Sequence, residues 1–211
     1  MALALGTFTP AVCAVGTLDR VVASIGNAAI TRSDVETEHR FENFLEGTPQ
    51  AEAPDAQQFE QARDRLINQL LLTTEADAED IRAEDSSAQA TQLLKQVRER
   101  YPDEESYRTA LATTGLSEEQ ALRRLERHVR SLRLIDQRLR PNAWVDHSEI
   151  EAYYRGTFVP EYSRREGTTV PPLEEVESQI RAILVEQKVD RLLAEWLKEI
   201  EASRHVRLHS F

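Results

Sequence analysis

The chain has 211 residues, of which 40% are hydrophobic and 30% charged, and its single cysteine is Cys13. This composition excludes a disulfide scaffold and wholesale disorder, and the length fits one domain or two small ones that share a core. The net charge of −11 opposes binding to nucleic acid, whose phosphates need Lys and Arg partners. Seven glycines and eight prolines are too few for a sandwich or barrel, so helices are favoured.

The amino terminus predicts export. Residues 1–16 are uncharged, small and apolar, which is typical of the hydrophobic part and cleavage region of a secretory signal. The basic leader of such a signal is missing, so we expect either a truncated signal or an unusual mature terminus. No other run of about 18 apolar residues occurs, so no membrane-spanning segment is predicted. We expect a periplasmic protein that is exported through this signal, and the chain from residue 17 onward has no cysteine, which an oxidising periplasm would tolerate.

The first strand is predicted at residues 21–25, where side chains alternate at a period of two. Gly26 and Asn27 supply a turn, after which a short extended piece leads into the first helix. Ser33, with Glu36 three residues later, makes a capping box that is predicted to open this helix.

Several further helices are predicted from apolar stripes at helical spacing and from capping residues. The strongest stripe begins after Asp55, and the last helix is long enough, at roughly 45 Å, to indicate an elongated molecule. Residues 159–172 contain three prolines and a glycine and are predicted to be a connecting loop. The predicted helices follow Asp55, run near 86–100, extend from Asp103 to Gly115 and from Ser117 to Pro141, follow Asp146, and run from Leu173 to about Ala202.

The carboxyl-terminal tail, residues 205–209, alternates again, with Val206 and Leu208 predicted to face inward. An unpaired apolar strand would leave its backbone groups exposed, so this tail is expected to pair with residues 21–25. The predicted fold is therefore mainly α, an elongated helical body with a small sheet that joins the two chain ends. Exchange of a strand or arm between two chains, giving a homodimer, is left open.

Charge is distributed unevenly along the chain. Residues 34–80 are strongly acidic, whereas residues 118–140 are rich in arginine. Both runs can be explained as solvated helix faces. The functional alternative is an acidic wall that repels anionic partners and steers basic ones.

The sequence offers no recognisable catalytic or metal site. Cys13 lies in the predicted signal, and the histidines are scattered without the helical pairing of a zinc protease. His205 and His209 could share one face of a strand and form a weak metal site, but a role as surface polar residues explains them better. Accidental carboxylate pairs are common on Glu-rich helices, so none is assigned as an acid or base. We predict no catalytic residue, no metal and no cofactor.

Five stretches of the chain, taken in order, carry a resemblance to a known family. They are LDRVVASIGNAAITRSDVE (18–36), FEQARDRLINQLLLTTEA (59–76), GLSEEQALRRLERHVRSLRLIDQRL (115–139), VDHSEIEAYYRGTF (145–158) and PPLEEVESQIRAILVEQKVDRLLAEWLKEIEASRHVRLH (171–209). Together they resemble the SurA-type periplasmic chaperones. Each stretch alone is weakly specific, but their shared order over residues 17–211 is a strong joint signal.

The resemblance implies a division of the chain. Residues 17–158 would form a SurA-like N-terminal chaperone domain, and residues 173–211 a long helix and closing strand packed with it as one unit. Full-length relatives carry a parvulin-type prolyl isomerase domain between these parts. Here that position holds only the loop 159–172, so the resemblance implies chaperone function without isomerase activity.

The function that the resemblance implies is ATP-independent, holdase-like binding of unfolded outer-membrane or secreted polypeptides through an apolar cradle. The alternative is a structural or adaptor subunit that uses the cradle for one folded partner. Aromatic side chains are the candidates for peptide contact, although helical spacing also fits a core role, above all for Phe41, Phe44, Ile150 and Tyr153. Trp144 and Trp196 are predicted to be packing residues. The candidate peptide-binding residues are Phe41, Phe44, Tyr101, Tyr107, Tyr153, Tyr154 and Phe158.

Overall fold

The computed structural model describes residues 19–49, 52–81, 84–164 and 170–209. Over these ranges the fold is mainly α-helical with one small antiparallel sheet, so the predicted fold class is confirmed. The predicted signal, residues 1–16, lies outside the described residues. The elements are β1 (Val21–Ile25), β2 (Ala28–Thr31), α1 (Arg32–Glu46), α2 (Ala56–Ala78), α3 (Glu84–Arg98), α4 (Glu104–Thr114), α5 (Glu118–Arg138), α6 (His147–Tyr153), α7 (Val159–Ser163), α8 (Leu173–Arg204) and β3 (Arg207–Leu208).

The sheet joins the two ends of the described chain, as predicted. Its strand order is β2-β1-β3, and β1 runs antiparallel to both neighbours. Ala23 lies opposite Ile30 on one side and Leu208 on the other. Beyond β3, the His209 amide donates to the Val22 carbonyl at 3.0 Å, and the His209 ring lies 3.0 Å from the Ser24 hydroxyl. This pairing is formed within one chain, and exchange between two chains stays a prediction.

Two side chains that were predicted to be packed are exposed. Leu208 is 57% exposed because β3 is a two-residue edge strand, and only Val206 of the tail packs against the core. Trp144 is 71% exposed. Its neighbours Ala143 and Val145 both point inward, so the alternation of an extended segment turns Trp144 toward solvent.

Helix caps follow the local sequence at most positions. The capping boxes at Asp55, Ser117 and Asp146 are present, and Asp103 caps α4. The predicted box at Ser33 is wrong, because the N-cap of α1 is Thr31. The Asp34 carboxylate accepts a hydrogen bond from the Thr31 amide at 2.9 Å. This completes a capping box that begins two residues before the predicted one. Ser33 instead donates its hydroxyl and amide hydrogens to Asp19.

The predicted loop at 159–172 begins later than expected. A π-helical segment, Tyr154–Phe158, continues α6 directly into α7, so the chain is helical up to Ser163. Pro160 is the second residue of α7 and has no N–H to donate to the helical turn before it. The wider π turn before it changes the hydrogen-bond spacing at the point where proline would disturb an α-helix.

In the described part of the chain three hydrophobic clusters form the core, and α8 connects two of them. The sheet cluster includes Val189, Trp196 and Ile200 from the second half of α8. The arm cluster joins Val145 and Ile150 to the first half of α8. The aromatic cluster lies among α1, α3, α4 and α5. At 32 residues, α8 is about 48 Å long, so it spans from one cluster to the next.

Each of the three clusters consists of the following buried residues. The sheet cluster comprises Val22, Ala23, Ile25, Ile30, Val35, Phe59, Ala62, Ile67, Leu71, Leu72, Ala76, Ile81, Leu134, Ile135, Leu139, Ala143, Val189, Trp196 and Ile200. The aromatic cluster comprises Phe41, Phe44, Ala90, Leu94, Val97, Tyr107, Ala110, Leu111, Ala121, Leu125 and Val129. The arm cluster comprises Val145, Ile150, Val176 and Ile180.

Candidate functional site

Four of the predicted peptide-binding aromatics lie together in the aromatic cluster. The Phe44 ring is at its centre, with ring-centre distances of 6.2 Å to Phe41, 5.7 Å to Tyr101 and 5.5 Å to Tyr107. Tyr101 is half-buried and donates its hydroxyl to the Phe44 carbonyl at 2.6 Å. Phe44 and Tyr107 are fully buried and hold α1 against α4, so their contact with clients stays a prediction that this packing does not favour. Phe41 is buried as well.

The other three predicted aromatics lie on α6 and on the π-helical segment that follows it, which together with α7 we call the arm. Tyr153, Tyr154 and Phe158 are half-buried and pack against the arm cluster. The Phe158 ring stacks between Tyr154 and Tyr162, with ring centres 5.7 and 5.4 Å away. A cleft of about 370 Å³ lies beside Tyr153 and Phe158. The structure therefore separates the predicted site into two groups on different clusters.

An apolar groove that the aromatic residues alone did not predict lies among α1, α2 and α5. We call it the α1–α2–α5 groove. Its volume is about 330 Å³, within the range of ligand-binding pockets. Of the predicted residues, only Phe41 lines it. The lining residues are Ile30, Asp34, Glu38, Phe41, Glu42, Leu45, Leu66, Gln69, Leu70, Thr73, Arg124, Leu125, Arg127 and His128.

The apolar lining stays accessible because α2 carries more apolar surface than its neighbours cover. Ile67 and Leu71 point into the sheet cluster and are buried. Leu66 and Leu70 come directly before Ile67 and Leu71 in the chain, so their side chains point about 100° away from these two around the helix axis. They are only partly buried, and Leu45 of α1 is in the same state. The groove thus presents three half-exposed leucines.

Acidic side chains of α1 face arginines of α2 and α5 across the groove. Glu38 pairs with Arg124, whose guanidinium lies 5.7 Å from the centre of the Phe41 ring. Burial raises the pKa of Glu38 despite the nearby positive charges. Glu42 pairs with Arg65, yet burial raises its pKa to about 7. At neutral pH the Glu42 carboxyl is therefore divided between its protonated and ionised forms.

Two residues of α5 complete the rim of the groove. Burial of part of its ring lowers the pKa of His128 and so disfavours its charged form. Burial also lowers the pKa of Arg127, and the neighbouring Arg124 adds to this effect. The arrangement offers apolar contact area beside a few charged groups, which suits binding of a polypeptide segment. Among the described residues, no cluster of His, Cys, Asp and Glu could hold a metal ion.

Comparison with known families connects this fold to a class of proteins. The sequence model of the SurA-like N-terminal domain matches residues 3–135, which is more than half of the chain. The chain belongs to the SurA-like N-terminal domain family. The match ends inside α5, so the rest of α5 and the elements from α6 to β3 lie beyond it. No curated protein and no solved structure matched the chain.

Membership of the SurA-like family indicates a chaperone-like role, and the family is periplasmic. The N-terminal domain of the family is its non-catalytic chaperone part. Between α7 and α8 this SurA-like chain has only residues 164–172, far fewer than the roughly 50 that a small domain needs. None of the described helices is both long and apolar enough to span a bilayer.

Proposed function

We propose that this protein is an ATP-independent, holdase-like chaperone that binds unfolded outer-membrane or secreted polypeptides in the periplasm. Clients would bind in the α1–α2–α5 groove, with no isomerase step. Export would depend on the predicted signal in residues 1–16. Residues 17–158 would be the chaperone domain, and residues 173–211 would pack with it as one unit.

A single observation supports this proposal most strongly. A member of a chaperone family keeps Leu45, Leu66 and Leu70 partly exposed in one groove, although each also packs against a core cluster. A chaperone that uses no ATP must present apolar surface to water, and contiguous exposed apolar surface marks interaction sites. The half-buried aromatics of the arm, Tyr154 and Phe158, remain a predicted second contact surface.

The expected affinity is low, which suits capture and release. Burying two or three client side chains gives about 1.5–3 kcal/mol for each. Association and ordering of a flexible client oppose this by an estimated 4–15 kcal/mol, although contacts outside the groove add to the favourable side. The gain, roughly 3–9 kcal/mol in all, overlaps only the lower part of the opposing range, so binding is weak and reversible and needs contacts outside the groove as well.

Suppression of aggregation tests the proposal. Several unrelated proteins would be unfolded in denaturant, diluted, and followed by light scattering with and without this protein in the absence of ATP. We expect scattering to fall for all of them at near-stoichiometric ratios, because apolar contacts are not specific to one sequence. The protein's own mass, measured by light scattering in the same buffer, would establish its oligomeric state.

The adaptor alternative makes the opposite prediction. An adaptor would leave aggregation of the unrelated proteins unchanged and would co-purify with one folded partner. That result would contradict the chaperone proposal. Accelerated cis-trans exchange in a proline-containing peptide would contradict the proposed lack of isomerase activity.

A further inference from the structure

The acidic residues that line the α1–α2–α5 groove are already engaged with partners inside the chain. The Asp34 carboxylate accepts hydrogen bonds from the Thr31 amide at 2.9 Å and from the Thr31 hydroxyl at 2.7 Å. Glu38 accepts from Arg124, and Glu42 from Arg65. These carboxylates are therefore poorly placed to recruit a cation from a client, because doing so would break an existing contact.

Arg127 is in the opposite situation. It lines the groove with part of its side chain open to solvent and part desolvated by the groove wall, and in the described part of the chain no ion pair or hydrogen bond engages its guanidinium. Glu38 and Glu126 are near enough to attract Arg127, but their hydrogen bonds go to Arg124 and to Ser87. The positive charge of Arg124 opposes that of Arg127 and contributes to the lowered pKa of Arg127. An added anion at this place would relieve the repulsion.

We infer that the α1–α2–α5 groove selects apolar polypeptide segments that carry an Asp or Glu side chain, and that Arg127 binds this carboxylate. The inference rests on the proposed function and names its preferred client class. A guanidinium matches the two oxygens of a carboxylate and donates charge-assisted hydrogen bonds to them. Leu66 and Leu70 would receive the neighbouring apolar side chains.

The local charge favours an acidic client although the whole chain does not. The net charge of −11 repels anions at long range, but salt screens such repulsion beyond about 8–10 Å. Inside the groove, the charges of Glu38 and Glu42 are each balanced by a paired arginine, Arg124 and Arg65. Among the described residues, no carboxylate forms such a pair with Arg127. Selection would therefore arise at contact distance rather than during approach.

Binding of three matched peptides to the full chain tests this inference. The peptides are leucine-rich, labelled and identical except for one central residue, which is Glu, Gln or Lys. Fluorescence anisotropy at pH 7.5 should give affinities in the order Glu, Gln, Lys, with the Glu peptide about threefold to tenfold tighter than the Gln peptide. In the Arg127→Gln variant this preference should fall to less than about twofold.

Arg133→Gln is the control, since Arg133 lies on α5, loses the same charge and does not line the groove. It should retain the preference for the Glu peptide. Equal binding of the three peptides to the natural protein would overturn the inference and leave the proposed function standing. A preference that survives in Arg127→Gln would also overturn it. Failure of all three peptides to bind would contradict the proposed function itself.

Discussion

Replacing Leu70 with serine is expected to weaken binding of an apolar client peptide about tenfold and to reduce suppression of aggregation accordingly. Leu70 is half-buried in the wall of the α1–α2–α5 groove, and its exposed part would be covered by a client. Loss of about 1.4 kcal/mol of apolar contact corresponds to a tenfold loss of affinity. Fluorescence anisotropy with a neutral leucine-rich peptide would measure the change.

Leu132→Ser is the matched control for this experiment. Leu132 is a leucine of α5 that is 41% exposed and lies outside the groove. It removes the same side chain from another part of the surface, so it should leave peptide affinity within about twofold of the natural value. Circular dichroism would verify that both variants fold. Equal losses in the two variants would show that binding depends on general surface hydrophobicity rather than on the groove.

The largest effect on stability is expected for Trp196→Ala, with a loss of about 3–5 kcal/mol in the free energy of unfolding. Trp196 is 8% exposed and fastens the second half of α8 to the sheet cluster. The Arg138 guanidinium lies 4.6 Å from the centre of its ring, an arrangement that contributes a further 0.5–1 kcal/mol or so. Urea denaturation followed by circular dichroism would measure the loss.

Trp144→Ala provides the comparison, because the chain offers one buried and one exposed tryptophan. The Trp144→Ala substitution should lower the free energy of unfolding by less than about 0.5 kcal/mol, as is usual for surface positions. Similar losses for the two variants would contradict the packing of α8 described above. A destabilised Trp196 variant should also lose protection from proteolysis in α8 and β3, since α8 leads directly into the closing strand.

The parts of the fold that depend on local sequence were predictable. Asp55, Ser117 and Asp146 each have the partner of a capping box three residues later, and each opens a helix. Pairing of the chain ends could be predicted because a short apolar strand needs a neighbour for its backbone. The α1 start could not be resolved locally, since two overlapping boxes compete and Asp19 binds Ser33 from outside.

The candidate site was less predictable, because burial depends on how many helices meet at a residue. Helical spacing placed Phe44 and Tyr107 on apolar faces but could not show that four helices enclose them. Leu66 and Leu70 belong to the same stripe as Ile67 and Leu71, and only packing separates covered from uncovered members. One available signal was the apolar stripe of α2 itself, whose adjacent leucine and isoleucine positions extend around more of the helix than one neighbour needs to cover.

Charge gave a partial indication of the groove. The acidic run at 34–80 and the arginine-rich run at 118–140 were noted in the sequence, with solvated faces as one explanation. The structure brings α1 and α5 close enough for Glu38 to pair with Arg124. Such a contact joins residues far apart in the chain, so no spacing rule could have indicated it.

Site-specific photo-cross-linking to an unfolded client tests the central claim most directly, since it reports where the client lies. A photoreactive side chain would replace Leu45 in the groove, Leu132 outside it, or Phe158 on the arm, in three separate variants. The account predicts strong cross-linking from position 45, weak cross-linking from position 132, and at most a secondary signal from position 158. Cross-linking from position 158 with none from position 45 would contradict the claim that the groove holds the client.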